Sequence, residues 1–390
     1  MERPLFIIYP HGSSIEYTVK PDKRYFEQAL DAIKNCTGLI IGNCEVRDRI
    51  LSLYPKYKED ILNKTRIVGV GVDTALFSPI ESDKKMDSIN SLLELNLGGG
   101  KGPSQVKQLC QGLESGDTSV VQEYWAAYDH SKPDADINEK LKRIPWDGNI
   151  LLFVGAFTAG KGVQSLIAGM PGVLRENPDT HLVIVGSGAY REVLEALVYA
   201  IKSGNRDLLN GLCEKGFDLD RSDITGPWED VKQYINNDEN LAELFSSGAN
   251  LDQHIHFMGR LVHSELQYLF PCADLAIFPS VVPEAYPLVL MESLSNGVFP
   301  VVSYFSGFKD GVDELGTYLK EDLIEKMKVP IKFDVRIPTL IENIKNLLKD
   351  PELKTIKKDL SQIAVDNFDW KLRAMQMVQA YQELINPGKT

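Results

Sequence analysis

Apolar residues along the chain gather into short unbroken runs, separated by stretches with helical spacing. In the first eighty residues the runs fall at 5–9, 39–41 and 67–70, while 50–53 fits a helix better. Between the first two, Tyr25, Phe26, Ala29, Leu30 and Ile33 recur at the intervals of one helix face. Strand, helix, strand, helix, strand is α/β order and predicts a parallel sheet. From residue 150 the pattern sharpens. Continuous apolar runs at 150–154, 181–185, 255–258, 275–278 and 298–303 fit strands buried on both faces. Helical stretches lie between them at 163–174, 191–201, 264–270 and 288–294. This alternation predicts a doubly wound, Rossmann-like domain.

Two intervals break the rhythm. Residues 80–148 are polar, with turns at Gly98-Gly99-Gly100 and Lys101-Gly102-Pro103 and helical patches at 106–113 and 120–128. A structureless loop of that length is improbable in a compact domain, so a linker carrying a helical insertion is expected. Residues 203–253 exceed what a helix connection needs and carry Asp218, Asp220, Asp223, Glu229, Asp230, Asp238 and Glu239, which predicts an acidic surface insertion. The expected organisation is a partial first domain at 1–80, a linker at 81–148, a second domain at 149–367 and a terminal helix with tail at 368–390.

Composition narrows the function. The formal net charge is −13, and no basic stripe appears, which argues against nucleic acid as a partner. The cysteines Cys36, Cys44, Cys110, Cys213 and Cys272 form no C-x-x-C pair, and no histidine joins them at metal-ligand spacing. Buried, reduced thiols in a cytoplasmic protein are expected, with a peripheral place at a membrane left open. No signal peptide and no transmembrane run is evident.

Ligands of open parallel sheets bind beyond the carboxyl ends of the strands. The loop at 155–162 there is Gly-rich and contains Lys161; its glycines permit close approach to an anion and the lysine supplies counter-charge. It is no Walker loop, because Ser or Thr does not follow Gly-Lys. A tight turn with a solvated lysine explains the same residues. Gly186-Ser187-Gly188 opens like a dinucleotide fingerprint, but Arg191 holds the place of its third glycine. The strongest constellation is Glu284-Ala285-Tyr286-Pro287-Leu288-Val289-Leu290-Met291-Glu292. Pro287 suits the first helical position, and Tyr286 is a poor cap, leaving the first amides for a ligand. Glu292, within an apolar helix, must be paired or face a polar ligand such as a ribose diol. His11 follows the first strand, at another strand-end position.

Together these residues resemble glycosyltransferase family 4, the retaining enzymes of the GT-B fold. The resemblance covers about 3–79 and 149–310, and more loosely the tail. It rests on Glu284 and Glu292 with seven residues between them, Phe278-Pro279-Ser280 before them and Gly297-Val298-Phe299-Pro300-Val301-Val302 after. It also rests on Phe257-Met258-Gly259-Arg260 with Ala273-Asp274, on Val70-Gly71-Val72-Asp73 with Phe77 and Pro79, and on Phe368-Asp369-Trp370. The family fold implies two Rossmann-like domains of α/β class. The implied reaction moves a sugar from a UDP, GDP or ADP sugar to a hydroxyl of a glycan, lipid or small molecule, with retention, no cofactor and no metal. By the same resemblance Glu292 would bind the ribose, and Glu284 with the amides near Tyr286, Pro287 and Leu288 the donor sugar. Lys161, with Gly155, Gly186 and Gly188 beside it, would face the diphosphate. His11 would face the sugar from the first domain, and Arg260 would lie near the base. Ala156 stands where the family often has Arg, and Pro287 where it often has Gly. The Gly-rich loop and βα units that usually precede the His-Gly segment are missing here. The first domain is therefore expected to be incomplete: truncated, minimal, or completed by a partner chain. A sugar-nucleotide-binding subunit without turnover, an epimerase and a phosphorylase stand as alternatives.

Overall fold

The computed structural model describes residues 5–103, 105–220 and 224–386, so Asp223 of the acidic stretch and the last four residues of the tail lie outside it. Two parallel sheets organise the chain. The first has the order β1 (Ile7–Ile8), β2 (Gly38–Ile41), β3 (Thr65–Ile67). The second contains β4 (Asn149–Val154), β5 (Thr180–Val185), β6 (Ile255–Gly259), β7 (Leu275–Phe278), β8 (Phe299–Ser303) and β9 (Lys328–Val329), in the order β6-β5-β4-β7-β8-β9. Every strand pairing is parallel. The apolar runs of the larger sheet are buried on both faces, as their lack of alternation requires.

The first sheet departs from the predicted runs. β1 keeps only two residues of 5–9, and Leu5 and Phe6 are exposed. β3 ends at Ile67, where the apolar run begins. Val68 still donates its amide to the Ile41 carbonyl at 2.9 Å, but the chain then leaves the sheet. Val68 is instead buried against Ile40, Ala380 and Leu384. The terminal helix Trp370–Ile385 thus packs on the first sheet, with Arg66 bound to Glu383 at 2.7 Å. Val72 pairs with Asp369 where the chain crosses between the sheets.

Residues 81–148 form helices Lys85–Glu94, Val106–Glu114, Ser119–Ala126 and Ile137–Arg143. Their Ile89, Leu92, Ile137 and Leu141 share the core of the larger sheet. Fully buried Asp134 receives a hydrogen bond from Arg191 at 2.6 Å, which ties this segment to the helix after β5.

The acidic stretch is not a surface feature. Its helices Arg206–Lys215, Glu229–Ile235 and Asp238–Ser247 bury Leu209, Trp228 and Val231 completely. The apolar residues between the charges decide the placement, and even Asp230 is buried. Of the cysteines, Cys44 is exposed and the other four are buried. No helix among the described residues is long and apolar enough to cross a membrane.

Candidate functional site

The neighbours of β4 are β5 on one side and β7 on the other, so connections leave the middle of the larger sheet in opposite directions. Such a switch point opens a crevice beyond the strand ends. Two of the loops singled out in the sequence meet there. Lys161, in the turn Ala159–Lys161 after β4, places its ammonium 2.6 Å from the Glu284 carboxylate in the loop after β7. The Ser280 hydroxyl lies 2.9 Å from the same carboxylate oxygen. Lys161 is therefore no solvated lysine. Its side chain is one-third exposed and that of Glu284 half as much, so the pair is reachable from the crevice.

Buried groups brace both loops from behind. The Val281 amide donates to the Gly160 carbonyl at 2.8 Å, joining one loop to the other. Asp220 accepts the Ala159 amide at 2.8 Å, so the acidic stretch holds the Lys161 turn. Arg336, fully buried on helix Phe333–Lys349, donates to the carbonyls of Pro279 and Ser280 and to the Ser303 hydroxyl. Its Nε lies 3.3 Å from buried Asp230, which also accepts from Ser165 at 2.5 Å.

The glycines predicted after β4 and β5 press together. A Cβ on Gly186, whose φ is +151°, would stand 1.8 Å from the Gly155 carbonyl oxygen. A Cβ on Gly188 would meet the Phe157 carbonyl at 2.3 Å. These residues offer backbone only, at a distance no side chain would allow. Arg260, just past β6, is exposed, and its amide contacts the Lys132 carbonyl at 3.4 Å.

The helix after β7 runs Leu288–Ser295. Pro287 is its N-cap, with extended ψ of 114°, rather than its first helical residue. No side chain caps it, so its leading amides are free of the competition that an Asp or Ser cap would bring. The Tyr286 ring turns away from these amides, its hydroxyl donating to Glu314 at 2.9 Å, and only its backbone is left toward the crevice. Leu288 is exposed. Glu292 is buried, 3.5 Å from the Nε2 of the exposed His263. Burial raises the Glu292 pKa, and His263 partly opposes that rise.

His11 follows β1 of the first sheet. It is exposed, with its ring edge-on to Tyr9 at 5.8 Å. The next residue, Gly12, fits so closely under the Glu284 loop that a Cβ there would come 2.7 Å from the Ala285 Cβ. The structure thus brings Lys161 and Glu284 together, puts Glu292 on the helix that follows, and sets His11 next to the glycine that meets the Glu284 loop.

Sequence reasoning missed Ser280, His263, Asp220 and Arg336. Ser280 lies in the strand-end loop 279–287 that the carboxyl-end rule picks out, but no sequence signal assigned it a role beside Glu284. His263 sits four residues past β6, and Asp220 and Arg336 act across long sequence distances, so no local signal marks them.

The sequence profile of the family described as Glycosyl transferases group 1 matches residues 134–207 and 235–358, just over half of the chain. An uncharacterized glycosyltransferase of Methanocaldococcus jannaschii is 27% identical over 164 residues, 42% of this chain and 29% of that protein. The chain thus matches less than a third of the length of that curated relative. Among solved structures, sucrose-phosphate synthase from Thermosynechococcus elongatus aligns with a TM-score of 0.53 at 18% identity, covering 97% of this chain and 67% of that one. Anabaena HepE in complex with UDP aligns with a TM-score of 0.55 at 12% identity, covering 98% and 73%. At these identities the likeness carries the fold, which is GT-B-like.

Proposed function

The chain belongs to the group 1 glycosyl transferases, known also as glycosyltransferase family 4, and from that premise we propose that it moves a sugar from a nucleoside diphosphate sugar to an acceptor hydroxyl with retention of configuration. The observation that carries this reading is the Lys161–Glu284 pair at the switch point, 2.6 Å apart and open to the crevice. Glycosyl transfer separates charge: the diphosphate leaves with negative charge and the anomeric carbon becomes cationic. Lys161 and the uncapped amides at Leu288 stabilise the former. Glu284 and the backbone at Tyr286 and Pro287 hold the sugar, Glu292 the ribose, and His11 meets the sugar from the first sheet. Gly155, Gly186 and Gly188 let the nucleotide approach the strand ends, and Arg260 lies toward the base. Binding of the diphosphate draws Lys161 from Glu284 and frees that carboxylate for sugar hydroxyls.

Structures of Anabaena HepE hold UDP or UDP-glucose, which puts uridine diphosphate sugars first in a screen of donors. The test is a thermal-shift screen of UDP, GDP and ADP sugars. One of them should raise the melting temperature, and Glu292→Ala should abolish most of that rise. A flat response to every nucleotide would sink the assignment. A second reading, a sugar-nucleotide-binding subunit without turnover, draws support from the exposed Ala156 in the position where Arg is frequent. Binding without hydrolysis or transfer would favour it.

A further inference from the structure

The loop that carries Glu284 is held on its far side by the first sheet. Asn43 caps helix Cys44–Leu53, its Oδ1 accepting the Val46 amide at 3.0 Å. Its Nδ2 donates to the carbonyl of Ala285, next to Glu284. The capping residue is 4% exposed, so this side chain is fixed at both ends. The Glu45 amide, a second free donor at the same helix start, is satisfied by Asp310 at 2.8 Å, from helix Ser306–Leu315 behind β8. One helix terminus is therefore capped by residues from both halves of the molecule.

Arg49, one turn further on, completes the contact. Its guanidinium is oriented by Glu45 and donates to the Ser306 hydroxyl at 3.2 Å and, more weakly, to the Gly12 carbonyl at 3.5 Å. Ser306 in turn donates to the Glu284 carbonyl at 2.8 Å, and the Gly307 amide donates to the same oxygen at 2.9 Å. Ser306 has a φ of +53°, a backbone state that a residue with a Cβ rarely adopts, so the surrounding bonds must hold it there. The path is continuous: Arg49 to Ser306 to the backbone of Glu284, with Asn43 pinning the next carbonyl.

We propose that Asn43 and Arg49 are positioning residues: by gripping Ala285 and Ser306 from the first sheet, they set the direction of the Glu284 carboxylate for transfer. They touch no donor atom themselves. The inference rests on the glycosyltransferase reading for its effect on turnover, but the grip is physical and can be measured without turnover.

Hydrogen exchange at the loop amides and steady-state kinetics test it together, on the full chain. In Arg49→Ala and Asn43→Ala, amides of 284–288 and 306–308 should exchange at least tenfold faster than in the parent protein. Turnover should fall about 100-fold, as a misplacement near 1 Å can cause, while nucleotide affinity stays within twofold, because its residues lie on the larger sheet. Arg49→Lys, keeping one donor for Ser306, should recover part of both losses. Arg47→Ala, on the same helix and bound to Asp48, should change neither. If Asn43→Ala fails to fold, Arg49→Ala and Arg49→Lys carry the test. Unchanged exchange at 284–288 and 306–308 in the Arg49 variants overturns the proposal, as does turnover that falls only in step with nucleotide affinity. If no nucleotide binds the parent protein, the functional reading fails, and the exchange rates still judge the grip.

Discussion

The Lys161 ammonium and the Glu284 carboxylate stand 2.6 Å apart although 123 positions separate them in the chain. Each belongs to a loop leaving a different strand, and the two strands, β4 and β7, are direct neighbours. In the proposed reaction the pair divides the work, one charge for the leaving group and one for the sugar. Lys161→Ala should weaken nucleoside diphosphate binding by about 10- to 100-fold, the scale of a charge-assisted contact of roughly 1.5–3 kcal/mol. Glu284→Gln, of the same shape, should leave nucleotide binding within a few-fold and lower turnover by more than 100-fold. Calorimetric titration and initial rates separate the two effects; equal loss of binding in both variants would contradict the division of roles.

Glu292 is buried with its pKa raised, and His263 is the group opposing the rise. Replacing His263 by Ala removes that opposition. The carboxyl then holds its proton to higher pH, so on acidification nucleotide affinity should begin to drop at a higher pH in the variant than in the parent protein. Where the carboxyl is ionised in both proteins, the two affinities should converge. A constant ratio of affinities from pH 5 to pH 8 would show that His263 does not act through Glu292.

Arg336 is a buried cation serving Pro279, Ser280 and Ser303, with Asp230 as its counter-charge. Arg336→Met strands a buried carboxylate, which typically costs about 3–5 kcal/mol. Urea unfolding should therefore show a large loss. Asp230→Asn in the same background should return a substantial part of it, because the stranded charge is gone. Additive losses in the double variant would mean that the two side chains are not coupled.

His181 and His256 face each other at 3.1 Å between β5 and β6, both buried, and His254 stacks on His181. Burial pushes the His256 pKa down to about 3, with the neighbouring histidines adding to the effect. The unfolded chain takes up a proton near pH 6.5, whereas the folded chain resists it until about pH 3. Between those values the unfolded state binds more protons, so stability falls as pH falls. At pH 5 this one residue should cost about 2 kcal/mol relative to neutral pH, at roughly 1.4 kcal/mol per pH unit. His256→Phe should flatten the dependence between pH 6.5 and pH 5 in denaturant titrations, and an unaltered slope would refute this source.

The larger sheet was readable because its strands are buried on both faces. Apolar runs such as 150–154 and 181–185 need no context to be recognised, and β4 and β5 contain them. The residues of Glu284 to Glu292 were readable for a related reason: charge stands out against Leu288, Leu290 and Met291. The first sheet was harder. At 67–70 the apolar run serves the terminal helix as well as the strand, and hydrophobicity alone does not say which. The acidic stretch misled because its charges stand out in the sequence, whereas burial follows Leu209, Trp228 and Val231, and Asp230 goes inside with them as the partner of Arg336. Ser280 and Arg336 stayed hidden for a third reason. A buried polar group is defined by its partners, and Arg336 meets Pro279 from 57 positions away.

The helix Trp370–Ile385 lies over a sheet built from residues 7–67, with Leu384 occupying the space that a side chain on Gly38 would claim. On the ribosome those early strands are exposed to solvent long before their cover is made. The larger sheet, whose strands and helices are nearer neighbours in sequence, can consolidate in the meantime. The smaller sheet therefore stays partly uncovered until a helix about 300 residues further along the chain is made, and its completion depends on that late segment.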